Sequence, residues 1–323
     1  MNITIGTFNL NNLFSRYNFK GEIQAIKTAE TSVSGKVVYE FGDDAVFRLR
    51  TYKGKLVKGK KAEETQKIAN RILSINVDVL AVQEVEDIDI LRQFNRDYLG
   101  NAYSQVVLIE GNDPRLIDVG VMSKLPIGAV TSWQCAVHPD EPDQRVFGRD
   151  LLQIEIMNSG RSRRLFTLFN NHLKSQFVDF RADRQTAEAA NNLRRKRQAD
   201  MVAELVKREM RPDSAFIILG DMNDTPDSPS LSPFVNDAGL NLSNALANPV
   251  ETRPAKADTP PPASPAWTHR FKESGQPARY ELFDQIWLSP ALANHLTGAF
   301  IDRRTKHSGD GSDHDPAWIT LDL

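Results

Sequence analysis

Apolar residues recur along the chain with two periods, and the switches between them outline its elements. A period of two marks half-buried strands, and one near 3.6 marks helices. Ile3, Ile5 and Thr7 alternate with Thr4, Gly6 and Phe8, which predicts a strand at the N-terminus. Between Lys60 and Ser74, Ala62, Ile68, Ala69, Ile72 and Leu73 fall at helical intervals among charges. The run Val77-Asp78-Val79-Leu80-Ala81-Val82 is short, β-branched and nearly all apolar, the pattern of a strand buried on both faces. It runs into Gln83-Glu84, so charge stands at the end of a buried strand.

Two pairs of strands follow, Gln105 to Glu110 with Ile117 to Ser123, and Leu151 to Met157 with Leu165 to Phe169. Turn formers separate the members of each pair, Gly111-Asn112-Asp113-Pro114 in the first and Asn158-Ser159-Gly160 in the second. From Ala182 to Glu209 a helix is predicted, with Ala187, Ala190, Leu193, Met201, Val202, Leu205 and Val206 on one stripe. Ala215 to Leu219 is a further buried strand and runs into Gly220-Asp221-Met222-Asn223. Strands near Phe283 to Leu288 and Ala317 to Leu321 close the chain. Residues 248–266 carry six of the 17 prolines and no strand pattern, and read as a surface loop within a single domain spanning 1–323. The expected architecture is two packed sheets with helices outside them.

Composition narrows the function without choosing it. The 323 residues include 40 Lys plus Arg and 42 Asp plus Glu, a net charge of −2 that excludes a strongly basic nucleic-acid coat protein. The 40% hydrophobic content excludes disorder as the dominant state. The single Cys135 cannot form an internal disulfide, so a reducing compartment is allowed. The N-terminus enters a strand at once, with no leader pattern, and no stretch approaches the roughly 18–20 apolar residues of a membrane span. A cytoplasmic protein is expected, and nothing in the pattern implies a protein partner. Local basic groups remain for an anionic ligand: Arg48, Arg50, Lys53, Lys55, Lys58, Lys60 and Lys61, and again Arg194 to Arg197. Such runs are more often solvated faces than ligand contacts.

The chemistry lies in where the polar residues fall. Asn9, Glu84, His172, Asp221 with Asn223, Asp284, and Asp313 with His314 all stand at or just past the ends of apolar strands. Strand ends on one rim hold side chains with little freedom, as a preorganised site requires. Carboxylates and carboxamides without cysteine are hard oxygen ligands, suited to Mg²⁺ or Mn²⁺. Singly, each residue has a plainer reading: a Glu that caps a strand, a Gly-Asp-x-Asn turn, a histidine satisfied in a C-terminal loop. His138, His269, His295 and His307 take that structural or surface reading.

In their order, Thr7-Phe8-Asn9-Leu10-Asn11, Val82-Gln83-Glu84-Val85, Asn171-His172-Leu173-Lys174-Ser175, Gly220-Asp221-Met222-Asn223, Phe283-Asp284-Gln285-Ile286 and Ser312-Asp313-His314-Asp315-Pro316 resemble the endonuclease/exonuclease/phosphatase superfamily. The resemblance covers essentially the whole chain. It implies a four-layered α/β-sandwich of two mixed, mostly antiparallel sheets flanked by helices, and Mg²⁺-dependent hydrolysis of phosphate esters. It implies that Glu84 is the principal metal carboxylate, with Asn9 and Asp313 beside it. Asp221 would orient or deprotonate water, and Asn223 would hold that water or a phosphoryl oxygen. His314, fixed by Asp284, and His172 would stabilise the phosphate from two sides. Asn11 stands where abasic-site endonucleases carry an acid, so one metal is expected rather than two, and Asn11 is read as a substrate contact. Lys174 is expected on phosphate, and Asn112 and Arg115 at the lip. Trp267 and Phe271 are weighed as a lid. The leading expectation is a nuclease acting on DNA or RNA. The alternatives are a phosphatase or phosphodiesterase for a small phosphorylated metabolite or lipid headgroup, and a non-catalytic binding module on the same fold.

Overall fold

Period-two segments assemble into two large sheets in the computed structural model, which describes residues 1–14, 60–179, 181–251, 266–271, 275–303 and 311–323. Arg48, Arg50, Lys53, Lys55 and Lys58 of the first basic group, His307 and most of the proline-rich segment lie outside the described residues. Lys60 and Lys61 of that group lie within them, Lys60 donating to Gly311 O. One sheet has the spatial order Val250–Glu251, Leu296–Ile301, Ala317–Asp322, Asn2–Leu13, Val79–Val85, Asp118–Ser123, Gln105–Leu108. The other runs Ser243–Asn244, Asp284–Leu288, Phe216–Asp221, Arg164–His172, Leu152–Met157, Ile127–Ser132. Asn2–Leu13 pairs in parallel with Val79–Val85, and Arg164–His172 with Phe216–Asp221. Most other pairings are antiparallel, so the mixed, mostly antiparallel sandwich expected from the sequence is the one that forms.

Alternation along the strands explains the layers. Val79 and Ala81 face the second sheet in a core shared with Ile154, Leu168, Ile217 and Ile286. Leu80 and Val82 point the other way, against Ile68 and Ile72 of the helix Ala62–Ile75 and Leu91 and Phe94 of the helix Ile88–Asp97. On the far side, Phe169, Phe216 and Ile218 pack against Ala199, Val202 and Val206 of the helix Arg184–Glu209. The stripe expected along that helix is corrected in its first half. Burial begins only at Arg195, and Leu193 is 51% exposed. Among the described residues, no helix is long and apolar enough to cross a membrane.

Polar side chains tie the two sheets together. Gln83 at the end of one sheet donates from Nε2 to Asn170 Oδ1 of the other at 2.8 Å. Asn170 returns its amide hydrogens to the carbonyls of Gly120 at 2.8 Å and Val82 at 3.2 Å. Both residues are fully buried, so each group depends on its partner for a hydrogen bond. Asn170→Ala is therefore expected to lower unfolding free energy by about 2–4 kcal/mol, through orphaned groups and a cavity. Urea unfolding measures it, and a loss below about 0.5 kcal/mol would show that the seam carries no stability.

Candidate active site

Backbone irregularity places the first group of side chains. The register between Asn2–Leu13 and Val79–Val85 shifts past Asn9 and Gln83, where Glu84 adopts φ 59° and Asn11 and Asn12 adopt 47° and 60°. A non-glycine residue in this region is uncommon and strained, and a bulge there re-aims a side chain. Glu84 is fixed through Oε2, which accepts from Asn12 N at 3.0 Å. In the second sheet, Asp221 pairs in register with His172 on one side and Asp284 on the other. The three stand in one row across neighbouring strands, on one face. Gly220 permits this close row: its φ is 129°, and a Cβ there would lie 2.0 Å from Asn171 O.

The loop Ser312–Asp315 supplies the third group. Ser312 Oγ donates to Asn9 O at 2.7 Å and accepts from His314 N at 3.0 Å. Buried Arg71 anchors the loop from the helix Ala62–Ile75. It contacts Asp302 Oδ2 through Nε at 3.0 Å and Asp315 Oδ1 through Nη2 at 2.9 Å.

Distances at the centre join both sheets. Asn9 Nδ2 donates to Asp221 Oδ2 at 2.8 Å. Asp221 Oδ2 lies 3.6 Å from His172 Nε2 and 3.8 Å from His314 Nε2. Glu84 Oε1 is 3.9 Å from His172 Nε2, and His314 Nδ1 contacts Asp284 Oδ2 at 2.7 Å. Asp221 Oδ1 accepts from Asn223 N at 2.9 Å, and Asn223 Nδ2 donates to Leu173 O at 3.1 Å. The structure thus gathers Asn9, Glu84, His172, Asp221, Asn223, Asp284 and His314 on one rim.

Charge distinguishes the two histidines. Burial opposes a proton on either, but Asp284, Asp221 and Asp313 around His314 hold its proton affinity well above the ordinary value. His172 is displaced well below it by burial, then by Arg149, His314 and Arg115. Burial also raises Glu84, reinforced by Asp313, and raises Asp221 against the opposing charge of His314. Glu84 and Asp221 crowd negative charge that His314 and Arg149 offset only in part, since both carboxylates stay raised. With carboxylate and carboxamide oxygens around it, the site suits a hard divalent cation.

Other expected contacts divide. Lys174 Nζ donates to Ser175 O at 3.4 Å, and burial with Arg149 and Arg115 lowers it to about 8. Arg115 chelates Asp113 at 2.8 Å and lies half exposed. Asn112 is corrected from lip contact to loop anchor, because its Nδ2 donates to Gln134 O at 2.7 Å and Phe147 O at 3.0 Å while Arg145 takes its Oδ1. Asn11 accepts from Asn12 Nδ2 at 3.0 Å. Trp267 is no lid: it is 2% exposed, with the Arg303 guanidinium 3.6 Å from its ring centroid.

Two residues at the site escaped the sequence reading. Arg149 is buried beside Asp113, 3.5 Å away, and its charge acts on Glu84 and His172. The strand-end rule would have found it, since Gly148-Arg149-Asp150 precedes the apolar strand at Leu151. His269, expected to be structural or on the surface, faces His314 at 4.8 Å between ring centroids.

A model of the Endonuclease/Exonuclease/phosphatase family matches residues 6–314. The chain belongs to that family, whose members hydrolyse phosphate esters. Among solved structures, it is similar to an endonuclease/exonuclease/phosphatase from Bacteroides vulgatus, 12% identical over 100% of this chain and 99% of that one, TM-score 0.59. It is also similar to an AP endonuclease from Archaeoglobus fulgidus, 13% identical over 99% and 100%, TM-score 0.59. A mannosyl-6-phosphatase from Bacteroides thetaiotaomicron is 14% identical over 99% and 100%, TM-score 0.56. These likenesses show the fold. No curated protein sequence matches the chain.

Behind the lip, burial pushes Asp118 and Asp150 up to about 7, and each has one buried oxygen without a hydrogen-bond partner among the described residues. Their folded forms hold protons more tightly than the unfolded chain does. Their contribution to stability is full below about pH 4 and is lost as pH rises through 7, on the order of 4 kcal/mol for each group. Thermal melts at pH 5 and pH 8 should show a smaller drop in Tm in Asp118→Asn than in the wild type, Asp150 keeping its share. An equal drop in both proteins would contradict this.

Proposed function

We propose that the chain is a Mg²⁺-dependent phosphodiesterase, with Mn²⁺ as the alternative ion, and that its substrate is a nucleic acid. The observation that carries this is Asp221 within 3.8 Å of both His172 and His314, with Glu84 at the same centre. Glu84 would hold the cation, with Asn9 and Asp313 beside it. When bound, the ion polarises a phosphoryl oxygen and neutralises charge developing there.

Asp221, its carboxylate oriented by Asn9 and Asn223, accepts a proton from the attacking water. Asn223 holds that water or a phosphoryl oxygen. His314 keeps its proton at neutral pH because Asp284 backs Nδ1, and it donates from Nε2 to the phosphate. His172 is neutral and donates from its Nε2 side on the opposite flank. Lys174 and Arg115 bind substrate phosphate, with buried Arg149 behind them; their shared positive potential supports a polyanionic substrate. Asn11 remains a substrate contact at the rim. The exposed, unpaired Cys135 suits the reducing cytoplasm.

Hydrolysis of bis-p-nitrophenyl phosphate should require Mg²⁺, stop with EDTA and resume on adding the ion back. Asp221→Asn and His314→Asn should each lower kcat by about 10²–10⁴ with the fold intact by circular dichroism. Competition among plasmid DNA, RNA and inositol phosphates identifies the substrate. Faster turnover of a monoester than of nucleic acid would replace the nuclease reading with a phosphatase. Inactivity with every divalent ion tried would leave a binding module.

A further inference from the structure

His269 lies outside the roles given above, yet the fold holds it against two residues that have them. Its ring faces that of His314 at 4.8 Å between centroids, with planes inclined 42°. Asp313 Oδ2 lies 3.8 Å from His269 Nε2. One ring nitrogen from each histidine and one Asp313 oxygen all fall within 4.8 Å of one another.

The cluster is held from several directions. A backbone bridge pairs His269 with His314, and Asp315 N donates to Thr268 O at 2.8 Å. Phe283 stacks on the His269 ring at 4.8 Å and 10°. Asp284 fixes the Nδ1 side of His314 at 2.7 Å. Among the described residues, Nδ1 of His269 is buried without a hydrogen-bond partner, and the Asp313 side chain is 54% exposed, which gives access from solvent.

We propose that His269, Asp313 and His314 form a binding site for a borderline divalent cation of the zinc class, which shares Asp313 with the hard-cation position at Glu84 and takes its other two donors from imidazole. Two imidazoles and one carboxylate with a free fourth position match the donor number and type of an open zinc site. Magnesium prefers all-oxygen surroundings and keeps its water, so the imidazole pair discriminates against it. Asp284 behind His314 is the outer partner that metal-binding histidines ordinarily use. Tetrahedral donors about 2.0–2.2 Å from one ion stand roughly 3.3–3.6 Å apart, so donors now within 4.8 Å of one another close by up to about 1.5 Å, the exposed Asp313 side chain and the His269 ring both moving. A cation there takes the His314 nitrogen away from phosphate. Zinc-class ions then inhibit hydrolysis, a consequence that rests on the function proposed above, whereas the binding itself does not.

Two measurements test it on the full chain. Titration with Co²⁺ should give tetrahedral d–d absorption in the wild type and lose it in His269→Asn and His269→Gln, with folding checked by circular dichroism. Absent bands in the wild type, or bands unchanged in both variants, overturn the site. With Mg²⁺ and bis-p-nitrophenyl phosphate, micromolar Zn²⁺ should inhibit the wild type, and His269→Asn should require at least tenfold more. Inhibition unchanged by the substitution also overturns it. If the wild type hydrolyses nothing, the proposed function fails while the cobalt titration still decides the metal site.

Discussion

A buried hydrogen bond between two sheets is the constraint from which the site follows. Hydrophobic contact between the sheets is non-directional and tolerates sliding, whereas Gln83 meeting Asn170 at 2.8 Å fixes how the sheets lie on each other. Asn9 then meets Asp221 at 2.8 Å one step nearer the rim. A displaced sheet would leave both pairs buried and unsatisfied, at about 1–3 kcal/mol for each group. The same geometry that avoids that cost carries Glu84 and Asn9 from one sheet to His172, Asp221 and Asp284 from the other.

Once these strand ends coincide, electrostatics divides the rim. Acids crowd the His314 side, where Asp284, Asp221 and Asp313 retain a proton on the imidazole. Cations crowd the His172 side, where Arg149 and Arg115 add to burial and keep that imidazole neutral. Two histidines within reach of one carboxylate are thereby driven to opposite protonation states. The strained backbone at Glu84 and the close row at Gly220 belong to the same arrangement, since each aims a polar side chain into it.

Much of the fold was legible because strand burial leaves a period-two trace. Leu80 and Val82 turn to helices while Val79 and Ala81 turn to the other sheet, as alternation requires. The chemistry was legible where a polar residue ends such a run, as at Glu84, His172 and Asp221. Sequence failed where burial comes from the rest of the fold. The helix Ile88–Asp97 buries little beyond Leu91 and Phe94, too few apolar positions to announce it, although Asp87 caps it at Ile90 N. Leu193 carries the helical period yet lies beyond the sheet it was expected to cover. Asn112 looked like a free lip residue because nothing local reveals that Gln134 and Phe147 take its amide. His269 sits in a short ribbon whose register with His314 exists only after folding.

The convergence of the strand ends is tested most directly by titrating the two imidazoles by NMR in the free protein. The account predicts opposite displacements, with His314 protonated well above the ordinary histidine value and His172 neutral well below it. Two rings that titrate together near about 6.5 would contradict it, because the acids and cations described here would then not surround them.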